Sequence, residues 1–209
     1  MPRKPPPAHA TPERTALARG SALWRLHSDR FTPTAFNPTI PSALGGGRFD
    51  SIDGNYAYLY AAGDTVACVA ETLLRDLSHT PYRLPAKRLE GLRLSKLRVE
   101  EPLELVMLSG SGLTAIGQDA WLSSCGPSDY PITREWAAAI RRWDVGAAGL
   151  TWRARHDNDR YAYVFFSDRC DSAAFEVDAS YRVDRPGRGF SLVRRAASGH
   201  RVVVALPES

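Results

Sequence analysis

Apolar residues alternate with smaller or polar ones in several short stretches, which is the pattern of half-buried β-strands. The clearest examples are Ser21-Ala-Leu-Trp-Arg-Leu-His27 and the aromatic-rich segment Asn55-Tyr-Ala-Tyr-Leu-Tyr-Ala61. Short strands are also predicted near residues 90–98, 102–108, 148–153, 161–167, 173–178, 190–195 and 200–206.

Helical periodicity follows the second strand. Asp64 or Thr65 can cap a helix that runs to about Ser78. Its apolar positions have the spacing of a buried stripe: Val66, Val69, Ala70, Leu73, Leu74 and Leu77. Two more helices are predicted near residues 114–123 and 133–143. Because strands outnumber helices and do not alternate with them, the pattern disfavours a Rossmann-like fold and favours a single α+β domain.

Residues 29–55 are dense in Pro, Gly, Asn and Asp, and we expect a long irregular loop there. Loops of this length are uncommon in compact domains and are usually functional. The loop contains Gly45-Gly-Gly-Arg48-Phe49, in which glycines let a backbone approach a ligand and an arginine offers donors to a diphosphate or carboxylate. A plain glycine turn is the alternative interpretation of this segment. The sequence contains neither G-x-x-x-x-G-K-[ST] nor G-x-G-x-x-G after a strand, the two common phosphate-binding motifs.

The length of 209 residues suits one ample domain or two small ones, and we find no internal linker or repeat. The formal charge is +4, but residues 1–20 alone contribute +3 in a Pro-rich segment that cannot build a core. We therefore expect a flexible arm at 1–20, or a weak electrostatic lure for acidic partners, followed by one domain at 21–209. The arginines between Arg182 and Arg195 suit either a solvated hairpin or a phosphate-binding face. Direct nucleic-acid binding is not expected.

The sequence predicts a cytoplasmic protein. No apolar run approaches the length of a membrane span, and no apolar segment follows the basic residues near the start. Cys68, Cys125 and Cys170 are scattered, so neither a disulfide framework nor a zinc site is expected. The five histidines lack metal-ligand spacing, and we expect no metal.

Glu71 lies in mostly apolar company on the first predicted helix. Carboxylates are rarely buried unless paired, so a cation or a ligand should lie near it. The alternative is a solvent-facing pair with Arg75, four residues on. Tyr56, Tyr58 and Tyr60 share one strand face, where they either pack in the core or offer a ring to a flat heterocycle.

These motifs, in this order, resemble the RES domain, the toxin half of bacterial RES–Xre toxin–antitoxin pairs. The resemblance covers about residues 21–170. It is carried by Leu23-Trp24-Arg25, Gly46-Gly47-Arg48-Phe49, Tyr60 eleven residues before Glu71, Gly149-Leu-Thr-Trp-Arg-Ala-Arg155 and Tyr161-Ala-Tyr-Val-Phe-Phe166. The family is named for an Arg, a Glu and a Ser, and Arg48 and Glu71 resemble the first two. Ala154 stands where the family usually has Ser. Either Thr151 supplies the hydroxyl instead, or the activity of this protein is altered or reduced.

The resemblance implies an ADP-ribosyltransferase-like fold, with mixed, mostly antiparallel sheets and flanking helices, acting on NAD as substrate and needing no cofactor. It implies cleavage of the nicotinamide–ribose bond, with the ADP-ribosyl group passed to water, phosphate or a protein. Such cleavage develops positive charge on the ribose, which the Glu71 carboxylate would stabilise.

The remaining roles follow from the same resemblance. Arg48 and Arg25 would hold the diphosphate, and Tyr60 would stack on nicotinamide or the ribose. Trp152 and Arg155 would form pocket walls. An Xre-type helix-turn-helix antitoxin is the implied partner. Two alternatives remain open: an enzyme that modifies a protein target, and a non-catalytic nucleotide-binding module.

Overall fold

An eight-stranded, curled sheet dominates the fold of the protein, in a computed structural model that describes residues 6–38, 46–75 and 82–206. The strands are β1 (Arg14–Leu17), β2 (Ala22–Ser28), β3 (Tyr58–Ala62), β4 (Tyr82–Leu84), β5 (Leu92–Val99), β6 (Leu103–Leu108), β7 (Gly149–Ala154), β8 (Asp157–Phe166), β9 (Phe175–Arg182) and β10 (Val202–Val204). The α-helices are α1 (Thr65–Thr72), α2 (Ser111–Ala115), α3 (Trp121–Ser124), α4 (Tyr130–Trp143) and α5 (Arg188–Ser198).

The strands of the large sheet lie in the order β1-β6-β7-β8-β3-β2-β5-β9. All neighbouring pairs are antiparallel except β6 and β7, which are parallel. β4 and β10 form a separate two-stranded parallel sheet. The mixed but mostly antiparallel sheet with helices packed on it confirms the predicted single α+β domain.

Apolar side chains from the helices cover the sheet in separate clusters. Val69 of α1 and Val193 of α5 share one cluster with Leu94 of β5. Trp136 and Ile140 of α4 lie in another, with residues of β6, β7 and β8. The strands β7, β8 and β3, neighbours in the middle of the sheet, therefore have helical cover on which a site can be built.

Two predicted elements are wrong. Residues 190–195 were expected as a strand but lie in α5, where Phe190, Val193 and Ala197 are buried at helical spacing. The single helix predicted at 114–123 is instead two short helices, α2 and α3, separated where Gly117 adopts a φ of 71°, which ends a helix.

The N-terminal segment also differs from the expected flexible arm. Residues 14–17 form β1, which pairs with β6 from Arg14 opposite Val106 to Leu17 opposite Leu103. The Arg14 guanidinium donates to both oxygens of Asp144, at 2.7 and 2.6 Å. Local composition could not predict this pairing, because its partners lie far along the chain.

The first predicted helix is shorter than expected, since α1 ends at Thr72 and residues 76–78 lie outside the described part of the chain. Gly45 lies outside it too. Within residues 6–38, 46–75 and 82–206, no helix has the length and apolar character needed to cross a membrane. The same residues contain no group of three or more His, Cys, Asp or Glu side chains placed to hold a metal ion.

Candidate functional site

A cavity of about 290 Å³ lies between α1 and the strands β3, β7 and β8. It brings together four residues singled out from the sequence: Arg48, Tyr60, Glu71 and Trp152. The complete lining is Leu26, Asn37, Gly46, Gly47, Arg48, Tyr58, Tyr60, Ala61, Ala62, Cys68, Glu71, Thr72, Arg75, Tyr130, Trp152 and Ala162.

Glu71 is placed by the last turn of α1. Asp64 caps the start of this helix by accepting hydrogen bonds from the backbone N–H groups of Val66 and Ala67, at 2.9 and 3.0 Å. The helix then buries Ala67, Cys68, Val69 and Ala70 against the sheet. This packing fixes the helix and leaves the Glu71 side chain, 15% exposed, at the cavity wall.

Both oxygens of the Glu71 carboxylate are held from β7 and the residue that follows it. Oε1 accepts a hydrogen bond from the backbone N–H of Arg155 at 2.6 Å, and Oε2 accepts one from the Trp152 indole at 3.3 Å. A carboxylate has about four acceptor sites, so capacity remains for a ligand hydroxyl. The solvent-facing pair with Arg75 considered from the sequence does not describe this arrangement.

Arg48 faces Glu71 across the cavity, with Nη1 3.8 Å from Oε2. Its side chain is buried, and Nη2 donates to the carbonyl of Cys125 at 3.0 Å. Its Nε is also buried and has no hydrogen-bond partner among the described residues. The guanidinium therefore places a positive charge beside the Glu71 carboxylate in the largely buried wall of the cavity.

The glycine loop that carries Arg48 is tied down by a buried carboxylate. Asp50 accepts hydrogen bonds from the Gly47 N–H at 2.6 Å and from the Tyr60 hydroxyl at 2.9 Å. Burial raises the pKa of Asp50, although these two hydrogen bonds and the charge of Arg134 oppose the rise. The buried Arg134 also donates to the Gly47 carbonyl at 3.1 Å. We call Asp50, Tyr60 and Arg134 the loop clamp.

Gly47 is required by this clamp. A Cβ at this position would lie 2.5 Å from the Tyr60 hydroxyl oxygen and 2.6 Å from an Asp50 oxygen, closer than real contacts. The glycine therefore permits the close approach of the loop to Tyr60. Of the two interpretations of the Gly-Gly-Arg motif, the structure favours a loop built to present Arg48 to the cavity over a plain turn.

Aromatic rings form much of the remaining wall. The Trp152 ring packs edge-on against Phe49 at 5.1 Å and Tyr60 at 6.2 Å between centroids. The Arg48 guanidinium lies 5.5 Å from the centre of the Tyr130 ring. The Tyr60 hydroxyl accepts a hydrogen bond from the Phe49 N–H and donates one to Asp50. The hydroxyl therefore binds the glycine loop, while the ring of Tyr60 lines the cavity.

Arg25 does not line the cavity, contrary to its predicted contact with a diphosphate. It is 2% exposed and donates to the carbonyls of Pro33 and Ala35, at 2.8 and 2.6 Å, and to the Asn37 side chain at 3.0 Å. Burial lowers the pKa of its guanidinium to about 10. Arg25 organises the loop after β2, and Asn37 is the part of that loop that reaches the cavity.

Arg155 contributes through its backbone. Its N–H holds Glu71, whereas its guanidinium donates to the Arg75 carbonyl at 3.1 Å and does not line the cavity. The proposed substitute hydroxyl is also elsewhere: Thr151 is buried and donates to the Ala162 carbonyl at 3.2 Å. Ala154, where a Ser was expected, is fully buried in the cluster around α1 and α5.

Several contributors were missed from the sequence. Asp50 directly follows the Gly-Gly-Arg-Phe motif, so an acid beside a candidate ligand loop was a usable signal. Arg134 and Tyr130 gave none, because both lie on α4, distant in sequence from the loop they contact. Cys68 lines the cavity, but burial raises the pKa of its thiol to about 12, so it is a neutral thiol near neutral pH.

The fold and site define an α+β domain with a partly enclosed cavity that pairs a carboxylate with a guanidinium between aromatic walls. The RES domain family profile matches residues 22–186, and the chain belongs to that family. Its structure is also similar to a chain in the crystal structure of the M. tuberculosis MbcT–MbcA toxin–antitoxin complex. That similarity has a TM-score of 0.57 and 17% identity, and covers 88% of this chain and 92% of the other. No curated protein matches the sequence significantly.

Proposed function

We propose that the protein is a RES-family toxin that cleaves the nicotinamide–ribose bond of NAD, by hydrolysis or phosphorolysis, and so arrests growth. The observation that carries the proposal is the Glu71 carboxylate, oriented by Trp152 and Arg155 and balanced by Arg48 in one cavity. Family membership and similarity to a toxin–antitoxin complex support the toxin class. We also propose that the fold is ADP-ribosyltransferase-like, as the resemblance of the sequence implies.

The proposed chemistry needs a fixed negative charge beside the ribose. When the glycosidic bond breaks, its electron pair leaves with the nicotinamide nitrogen, and positive charge develops on the ribose ring. A preorganised carboxylate stabilises that charge more in a partly dry site than in water. Glu71 fits this role, because two hydrogen bonds fix its oxygens before any ligand arrives. Water then adds to the ribose carbon and releases a proton to solvent, or a phosphate oxygen adds in its place, and the new C–O bond completes the reaction.

The aromatic walls and arginine would hold the rest of the substrate. The rings of Tyr60, Tyr130 and Trp152 suit a flat heterocycle such as nicotinamide. The Arg48 guanidinium would contact a phosphate or ribose oxygen near Glu71. The cavity lies at the lower end of the volume range of ligand pockets, so it suits one half of a dinucleotide, with the other half extending outside.

The test is nicotinamide release from NAD by purified protein, with and without phosphate. We expect Glu71→Gln to lower the rate about 10²–10³-fold, the usual effect of removing one preorganised charge-stabilising group. Glu135→Gln, the same change at an exposed position of α4, is the matched control and should keep full activity. Thermal unfolding of both variants separates loss of chemistry from loss of fold.

The products distinguish the outcomes. ADP-ribose or its phosphorylated form supports hydrolysis or phosphorolysis, whereas label from NAD on a macromolecule points to protein modification. Undiminished release by Glu71→Gln removes Glu71 from the mechanism. No release by the parent, and no growth arrest on its expression, rejects the enzyme.

A nucleotide-binding module without turnover is the second candidate. It is favoured by Ala154, which is buried where the family usually has Ser, and by Thr151, whose hydroxyl is engaged within the sheet. Calorimetry with NAD, run beside the turnover assay, separates the two: heat of binding without nicotinamide release supports the module.

We further propose an antitoxin partner, which we expect to be of the Xre helix-turn-helix type, and a cytoplasmic location where NAD is available. Co-expression with the product of a neighbouring gene tests the pairing. Restored growth and a stable complex support it, and continued arrest with no complex contradicts it.

A further inference from the structure

The C-terminal part of the described chain carries a basic surface that the proposed function does not use. Between residues 185 and 206 there are five arginines and no Asp or Glu. Among them Arg194, Arg195 and Arg201 are exposed, and none of the three forms an ion pair with a described residue. The surface therefore has positive charge that no described acidic side chain pairs with.

This charge borders a groove between α5 and β10. The groove has a volume of about 510 Å³ and is lined by Ser191, Arg194, Arg195, Ser198, Val202, Val203 and Val204. The four α5 residues are spaced i, i+3, i+4 and i+7, which places them on one helix face. No β4 residue lines the groove, so it runs along the side of β10 that faces away from β4.

On that side of β10, no strand among the described residues pairs with it, so its edge is open. Tyr82 N–H donates to the Arg201 carbonyl and Ala205 N–H to the Leu84 carbonyl, so residues 201, 203 and 205 direct their peptide groups toward β4. In a parallel pair the alternate residues, Val202 and Val204, direct theirs away. Their side chains are buried, whereas Val203 is 64% exposed. Such an edge is a template for another strand.

We propose that this groove binds an extended acidic peptide segment of a partner protein, which adds to β10 as a strand. Its backbone would pair with Val202 and Val204, and its carboxylates would contact Arg194 and Arg195. The exposed Val203 and the outward-facing backbone groups of β10 favour a peptide over nucleic acid, because the phosphates of a nucleic acid would contact only the arginines. The proposal is independent of NAD cleavage.

The probe is a fluorescein-labelled peptide of four Glu-Val repeats, titrated against the full chain by anisotropy. We expect binding that weakens about tenfold or more in the Arg194→Glu/Arg195→Glu double variant, as expected for loss of two charge pairs. Arg185→Glu/Arg188→Glu makes the same charge change in the same basic segment but outside the groove, and should bind nearly as the parent.

A second peptide tests the strand pairing. The same sequence with N-methylated valines keeps its charge but loses backbone donors, and should bind at least about tenfold more weakly. Bound peptide should also slow amide hydrogen exchange at Val202 and Val204. Equal binding of the methylated peptide, no binding of either peptide, or binding of a 20-base-pair duplex in their place overturns the proposal.

Discussion

Asp50 determines how Arg48 is presented, although it does not touch Glu71. Its carboxylate receives the Gly47 N–H and the Tyr60 hydroxyl while Arg134 holds the Gly47 carbonyl. Asp50 therefore accepts two of the three hydrogen bonds that hold this loop, and Arg134 donates the third. The position of the loop depends largely on the two acceptor oxygens of one buried carboxylate.

We expect Asp50→Asn to loosen this loop. The single oxygen of the new amide can still accept the Tyr60 hydroxyl, but its NH₂ then faces the Gly47 N–H, leaving two donors opposed. The unsatisfied pair should lower the free energy of unfolding by about 1–3 kcal/mol. Denaturant unfolding measures this loss, and nicotinamide release should fall with it if Arg48 acts as proposed.

Asp159→Asn is the control for the same chemical change at an exposed side chain. It should unfold within about 0.5 kcal/mol of the parent, as most surface substitutions do. If Asp50→Asn is equally stable, the loop clamp is not what holds Arg48.

At the scale of single residues, the sequence pointed to Arg48 and Glu71 but not to Asp50 and Arg134, which hold the loop that carries Arg48. Arg48 and Glu71 come together as their motifs suggested. Arg25 looked equally suited to a phosphate, yet its donors are used by carbonyls of the loop after β2. A motif shows which chemistry a residue can perform, but its direction within the fold depends on distant contacts.

Among the elements, α1 matters most because it carries Glu71. Its N-cap, Asp64, accepts two backbone N–H groups and forms an ion pair with Arg160. The α1 stripe was predictable, since both its cap and its apolar spacing are local. The helix α5 was not, because a segment of 11 residues with apolar positions close together fits a strand as well as a helix until its neighbours are known.

We expect Asp64→Ala to lower the free energy of unfolding by about 1 kcal/mol, with a range of roughly 0.5–2, through loss of the cap. Asp64→Asn is the matched variant, since it keeps a capping oxygen and removes only the ion pair. That pair is about one-third exposed on both sides, so its loss should cost less. Urea unfolding of the two variants makes the comparison, and equal losses would show that the ion pair, not the cap, supports α1.

For the whole molecule, His27 makes stability depend on pH. It is 5% exposed, its Nε2 lies 2.8 Å from the Ser95 hydroxyl, and burial lowers its pKa from 6.5 to about 4, with Arg25 and Arg93 adding to the shift. The unfolded chain therefore binds a proton first as pH falls. Stability from the neutral ring is complete above pH 6.5 and is lost as pH falls toward 4.

We expect unfolding free energy to decrease by up to about 3 kcal/mol between pH 7 and pH 4 from this residue. His27→Gln should remove most of that slope. The carboxylates of Asp144 and Asp184, whose pKa values are lowered by their Arg partners and nearby backbone N–H groups, lose their contributions only below about pH 3.8. Urea titrations at several pH values measure the slope, and an unchanged slope in His27→Gln would assign it to other groups.

The whole-molecule view also changes the meaning of the basic excess. Part of the N-terminal charge is structural, because Arg14 of β1 pairs with Asp144 at the C-terminal end of α4. Such pairing joins residues 130 positions apart, which composition cannot indicate. The class of fold could be predicted from the sequence. The alternation of apolar and polar residues in strands, and the apolar stripes of helices, are local patterns produced by one buried face.

The cavity wall has a consequence for synthesis of the protein. Glu71 is held by Trp152 and by the backbone of Arg155, which follow it in the chain by 81 and 84 positions. A ribosome must therefore release β7 before the carboxylate acquires its partners. Until then the nascent polypeptide has its acidic residue but not its finished pocket, so the proposed cleavage of NAD cannot begin before β7 has been translated.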